Sequence, residues 1–364
     1  MSGPPAVSQG GPKEDCVQTV KPVYGREGNV VRLFAPSGYS EKYEAIALAI
    51  SRLQLAGFAV DNQTAAYRKM SRFAGTDAQR AGDFQAIIER RVQLPKILLA
   101  LRGGYGSMRI LPLVDWASLG SMMQECGTLL LGYSDITAIQ LALLARGKTT
   151  SFAGPMLVGD LGVPEPSSYM LQGLVQCLGN PSFTVVVEES QISQSIEGVF
   201  WGGNLSILSA LVGSNYMPRI RGGILFIEDV SEQPYRIERM LQTLYLAGIL
   251  SQQKAIVLGN FNLDNDAKDS YDANYTFSTV VERLRRILKI PVLTSFPFGH
   301  VADKVTMPLG AFARIDPHNS GYTVNFSHYP YFNVQKFHLE ALGRAAEETP
   351  ALCSPANGSP LLPR

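Results

Sequence analysis

The sequence predicts an α/β protein with a mostly parallel sheet, followed by a smaller, strand-rich α/β part. Three observations carry this. Short apolar runs alternate with amphipathic stretches of helical length, as in α/β folds. Several of those runs open directly into Gly- or Ser-bearing loops, as strands do at their carboxyl ends. The 364 residues also exceed the roughly 250–300 at which one core stops growing and a chain divides.

Taken in order, residues 30–35 form a β-rich apolar run ending at Pro36-Ser37-Gly38, and a helix is expected over 41–55, closed by Gly57. Residues 96–101 are continuously apolar after Lys96, which suits a strand buried on both faces, and they open into Arg102-Gly103-Gly104-Tyr105-Gly106. Residues 129–133 repeat that pattern, delivering Ser134 onto a turn before a helix over 136–144. A Gly- and Pro-punctuated stretch with one helix follows. Beyond it, strands are expected at 183–187, 223–227, 255–258 and 292–293, with helices at 204–211 and 234–246. The expected division is a tail over 1–22, a first domain over 23–160, a linker over 161–182, a second domain over 183–340 and a tail over 341–364. Both tails read as disordered from their Gly, Pro and polar content.

Composition narrows the function. Lys and Arg number 32 against 31 Asp and Glu, net charge is +1, and the basic residues are dispersed, so nucleic acid is not an expected partner. No run is long and apolar enough to span a bilayer, and the first residues lack the apolar stretch of a secretory signal, which makes the cytoplasm the expected location. Cys16, Cys126, Cys177 and Cys353 form no C-x-x-C pair, and His300, His318, His328 and His338 form no H-E-x-x-H spacing. Neither a metal nor another cofactor is expected.

The candidate chemistry lies at strand ends. Ser134, between a strand and a helix in Gly132-Tyr133-Ser134-Asp135-Ile136, has the setting of a hydrolase nucleophile, although Ile136 replaces the second glycine of G-x-S-x-G. On these residues alone the stronger reading is an ordinary helix cap. Arg102 to Gly106 could be a loop that brings backbone N–H groups to an anion with Arg102 as carboxylate clamp, or a tight turn whose arginine makes a structural ion pair. Glu228 and Asp229 end a buried-looking strand, where one could orient a histidine or both could pair with Arg236 or Arg239. His300 follows the run 291–298 and is the histidine best placed to act as a base, although a lone histidine is more often structural than catalytic.

At these residues the chain resembles the LD-carboxypeptidases of the muramoyltetrapeptide carboxypeptidase family of serine peptidases. The resemblance runs in order through Ala35-Pro36-Ser37-Gly38, Phe73-Ala74-Gly75-Thr76-Asp77, Arg102 to Gly106, Gly132 to Thr137, Gly154-Pro155-Met156, Trp201-Gly202-Gly203-Asn204-Leu205, Ile227-Glu228-Asp229, Gly299-His300 and Pro308-Leu309-Gly310. It implies a flavodoxin-like N-terminal domain and a strand-rich C-terminal domain. It further implies Ser134 as nucleophile, Glu228 as acid, His300 as base, and the N–H groups of Asp135 and Gly104 as oxyanion hole. Arg102 and Tyr105 are the expected substrate-binding pair. The implied substrate is a murein or muramyl tetrapeptide losing its terminal D-alanine, and the implied assembly is a homodimer. Two other readings stay open: a relative that cleaves peptide-nucleotide antibiotics for self-immunity, and a non-catalytic module binding an anionic ligand.

Overall fold

The computed structural model describes residues 28–188, 192–263, 269 and 271–344; most of the two expected tails lies outside them. The chain begins with β1 (Val30–Phe34), α1 (Tyr43–Leu55), β2 (Ala59–Asp61), α2 (Asp77–Ile88) and β3 (Ile97–Ala100). It continues through α3 (Ser107–Ile110), α4 (Trp116–Cys126), β4 (Leu129–Gly132), α5 (Thr137–Ala142) and β5 (Ser151–Ala153). Then follow α6 (Ser168–Gly179), β6 (Ser182–Val187), β7 (Ile196–Asn204), α7 (Leu205–Ala210), β8 (Ile224–Glu228), α8 (Pro234–Leu246) and β9 (Ala255–Leu258). The last elements are α9 (Phe277–Ile287), β10 (Val292–Leu293), β11 (Met307–Leu309), β12 (Ala311–His318) and β13 (Gly321–Ser327).

Two sheets result. In the first, β1 to β5 run parallel in the order 2-1-3-4-5, the flavodoxin-like arrangement, and β11 closes the edge antiparallel to β5. In the second, β10, β9, β8 and β7 are parallel, while β7, β12, β13 and β6 are antiparallel. Sequence patterning explains both. Strands β3, β4 and β8 are covered on both faces and are buried throughout. By contrast β6 alternates exposed and buried residues, as a strand with one wet face must.

Helix ends follow capping chemistry. Thr76 and Gln79 make a reciprocal capping box at α2, Asp115 accepts from two backbone N–H groups at α4, and Gly57 (φ 98°) follows α1 where a left-handed residue is needed. Some expected elements differ in extent. The helix expected over 136–144 is a 3₁₀ turn (Ser134–Ile136), then α5, then a wider turn (Leu143–Gly147). The run before His300 keeps strand geometry only in β10, because Ser295 (φ 64°) and Pro297 break it.

The chain after β13 returns to the first sheet rather than remaining with the second. Phe337 stacks on Phe58 at 4.3 Å, and Ala341 and Leu342 are buried in a 3₁₀ turn (Leu339–Gly343) where the C-terminal tail was expected to have begun. Arg52 fastens this return. Its guanidinium is buried and donates to the carbonyls of Leu161 (2.7 Å), Val163 (2.6 Å), Pro164 (2.7 Å) and Arg344 (2.9 Å). Replacing Arg52 by Met orphans those carbonyls and should lower the unfolding free energy by about 3 kcal/mol. Urea denaturation measures this; a loss below about 1 kcal/mol would mean that other groups satisfy the carbonyls.

Candidate active site

Strand β4 delivers a residue held in an unusual conformation. Ser134 has φ 64°, a left-handed value that costs a non-glycine residue on the order of 1–3 kcal/mol and is held only where the surroundings impose it. Tyr133, not Ser134, occupies the helix N-cap, and no side chain caps that turn. The ordinary-cap reading of Ser134 is thereby removed.

The surroundings that impose this conformation are identifiable. The buried Asp135 carboxylate accepts from Ser37 Oγ (2.6 Å) and Ser107 N–H (2.9 Å), tying the serine turn to the loops after β1 and β3. Arg80, fully buried, donates to the carbonyls of Pro36 and Gly106 and pairs with Asp77, so it clamps the same two loops from behind. These loops flank the point where strand order reverses, the usual place for a ligand in an open α/β sheet. Gly103 comes closest to the hydroxyl: a β-carbon there would lie 2.8 Å from Ser134 Oγ. Gly104 (φ 116°) instead packs toward Gly38. The resemblance implies Gly104 for the oxyanion hole, whereas Gly103 is the member of the pair nearer the hydroxyl.

The second sheet supplies the other groups from its own carboxyl edge. Glu228 ends β8, only 1% exposed, with Oε2 2.9 Å from His300 Nδ1 and Oε1 accepting from Asn204 Nδ2 at 3.3 Å. Neighbouring Asp229 is engaged elsewhere, accepting from Asn204 Nδ2 (2.9 Å), Ser206 N–H (2.9 Å) and Ser206 Oγ (2.8 Å) at the start of α7. Burial raises the Asp229 pKa, partly opposed by those bonds. The alternative pairing of these carboxylates with α8 is not made; Arg236 pairs with Glu232.

His300 meets the serine turn through Tyr133, whose ring centroid lies 5.1 Å from the imidazole in an edge contact. Phe298 packs on Tyr133 (5.8 Å) and on core residue Phe226 (5.6 Å), so the hydrophobic core of the second sheet supports the loop that carries the imidazole. The two edges are joined directly where Asn204 N–H donates to Thr137 Oγ1 at 3.1 Å. The Ser134 turn and the His300–Glu228 pair therefore meet through Tyr133. Among the described residues the Ser134 hydroxyl makes no hydrogen bond.

Arg102 and Tyr105 lie in the loop after β3. Arg102 donates to the carbonyls of Tyr39 (3.1 Å) and Gly103 (3.3 Å) and has no carboxylate partner among the described residues, so the structural ion pair does not form. Tyr105 is 46% exposed, beside Phe73 and under the Arg72 guanidinium. No group of three His, Cys, Asp or Glu among the described residues could hold a metal ion. No helix among them is long and apolar enough to cross a membrane.

A strained serine and a carboxylate-held imidazole at the junction of two α/β sheets define a hydrolase-like site, and comparison with known proteins specifies the family. Residues 31–154 match the LD-carboxypeptidase N-terminal domain and residues 197–315 its C-terminal domain, both of peptidase family S66. The chain belongs to the LD-carboxypeptidase family. It is 28% identical over 300 residues to a probable murein peptide carboxypeptidase of Bacillus subtilis, covering 81% of this chain and 91% of that one. The crystal structure of muramoyltetrapeptide carboxypeptidase from Oxalobacter formigenes superposes with a TM-score of 0.74 and 37% identity, over 83% of this chain and 99% of that one. A third relative, the microcin C7 self-immunity protein of Escherichia coli, is 27% identical over 69% of this chain and 79% of its own.

The Asp135 carboxyl yields a pH prediction. Burial raises its pKa above the ordinary 3.8, with the Ser37 and Ser107 bonds opposing. The folded state thus holds this proton more tightly than the unfolded chain, and the group's contribution to stability falls as pH rises from about 4 through the folded pKa. Asp135→Asn removes that dependence, so the stability difference should shift in the variant's favour between about pH 4 and pH 7. Urea midpoints at the two pH values test it; a constant difference contradicts it.

Proposed function

We propose that this carboxypeptidase is a serine enzyme that hydrolyses the L,D bond of murein tetrapeptides, free or muramyl-linked, releasing terminal D-alanine in cytoplasmic cell-wall recycling. The observation that carries the reading is the 2.9 Å contact between Glu228 Oε2 and His300 Nδ1, with the imidazole packed against the residue preceding Ser134. A histidine that gives Nδ1–H to a buried carboxylate has Nε2 left as base. The relatives named for murein peptides supply the substrate class.

In this mechanism Ser134 Oγ attacks the carbonyl carbon joining the third residue to D-alanine while His300 Nε2 takes its proton. Glu228 holds the tautomer and stabilises the imidazolium. The tetrahedral oxyanion is met by the N–H of Asp135 and one from the Gly103-Gly104 pair, each such donor being worth about 2.7–4 kcal/mol in comparable enzymes. The C–N bond then breaks, D-alanine leaves with the proton from His300, and water, deprotonated by the same imidazole, releases the tripeptide and restores Ser134. Arg102, which no acid pairs with among the described residues, binds the D-alanine carboxylate beside Tyr105. The active assembly is a homodimer, and a monomeric mass in sedimentation equilibrium would refute that part.

The self-immunity relative supports a second reading, cleavage of a peptide-nucleotide antibiotic. Turnover of a defined tetrapeptide against a peptidyl adenylate, read by mass spectrometry, separates the two, and faster turnover of the adenylate would reverse the assignment. Ser134→Ala should abolish tripeptide formation and fluorophosphonate labelling; retained turnover would remove Ser134 as nucleophile. Glu228→Gln should lower kcat by about 10⁴-fold with the fold intact, because the amide favours the wrong imidazole tautomer. Gly103→Ala should slow turnover by about 10²-fold, since its methyl group would press on Ser134 Cβ and Oγ.

A further inference from the structure

A buried ion pair outside the groups discussed so far links the two halves of the cleft. Lys304, four residues beyond His300, is 1% exposed and forms an ion pair with Asp160, which is 5% exposed in the turn after β5. Asp160 is itself fixed, its second oxygen accepting from Met156 N–H at 2.8 Å. Lys304 Nζ also donates to the Tyr133 hydroxyl at 3.1 Å and lies 4.5 Å from that ring's centroid. Tyr133 precedes Ser134 in the chain and its ring edge abuts His300. One ammonium group is thus connected to the imidazole through its own loop and to the serine through Tyr133.

A buried ion pair is a poor source of stability, because removing both charges from water costs several kcal/mol and a well-packed apolar pair often does as well. Domain glue alone would not require the third contact, to Tyr133. We infer that Lys304 is a positioning residue: held by Asp160, it fixes the Tyr133–Ser134 turn relative to the loop of His300 and so sets the hydroxyl-to-imidazole register. The inference rests on Ser134 and His300 acting as nucleophile and base. Its effect is on rate rather than binding, since an error of about 1 Å between reacting groups costs on the order of 10²-fold.

The test uses the full chain and two readouts: the second-order rate of fluorophosphonate labelling at Ser134, and kcat and KM on murein tetrapeptide. Lys304→Met should slow labelling and kcat by about 10- to 100-fold, with KM within about twofold, and should also lower the melting temperature by stranding Asp160. The double variant Lys304→Met/Asp160→Leu should regain the melting temperature without regaining the rate. Tyr133→Phe keeps the Lys304–Asp160 ion pair and the ring packing but loses the hydroxyl; it should melt above Lys304→Met, lose about 10-fold in labelling, and lower the plateau of the pH–rate profile without moving its acid limb. A double variant restored in both stability and rate, or a Tyr133→Phe variant with the wild-type rate, would overturn the inference. Labelling needs no murein substrate, so the substrate assignment is judged separately: wild type labelled at Ser134 yet inert on tetrapeptide overturns that assignment while the variants still decide this one.

Discussion

A carboxylate removed from water at the end of a strand must find partners, and Glu228 finds them in the His300 imidazole and the Asn204 amide. Much of the local architecture follows from that need. The residues of β8 are buried, so the chain emerges from the core directly at the cleft. Asn204 divides its two amide hydrogens between Glu228 and Asp229, which keeps the adjacent carboxylates in separate roles, one facing the imidazole and the other holding the start of α7. Two acids side by side would otherwise compete for one histidine and repel each other in a low-dielectric setting.

The cleft is assembled from two carboxyl edges, each contributing what parallel strands offer there. The first sheet presents a backbone constraint: a serine in left-handed geometry, gripped by Asp135 from within and by the two loops that Arg80 clamps. The second presents an electrostatic one, a shielded carboxylate and the imidazole it steers. Neither edge is complete alone. Their shared boundary carries the Asn204–Thr137 bond and the edge-to-face packing of Tyr133, Phe298 and Phe226, polar and apolar contacts that keep the parts in register.

Much of this was legible in the residues. Continuous apolar runs located β3, β4, β8 and β9 within a residue or so, because strands buried on both faces leave no other pattern. The Gly-rich loops marked the carboxyl edges, and the resemblance chose Glu228 over Asp229 where spacing could not. What escaped notice depends on long-range proximity. Lys304 and Asp160 are 144 positions apart, and each reads as an unremarkable surface charge until the fold buries both. Arg80 sits in a helix among polar neighbours, so nothing local says that it faces two loop carbonyls. The β12–β13 hairpin was missed because its half-exposed alternation is weaker than a buried run.

Gly310, at φ 92°, is the only residue between β11 in the first sheet and β12 in the second. With both flanking strands locked into ladders, that peptide acts as a pin joining two plates, while the other connections are longer straps. A side chain at position 310 would meet Leu144 at 2.7 Å in a backbone conformation that favours glycine, and would so disturb both ladders at once.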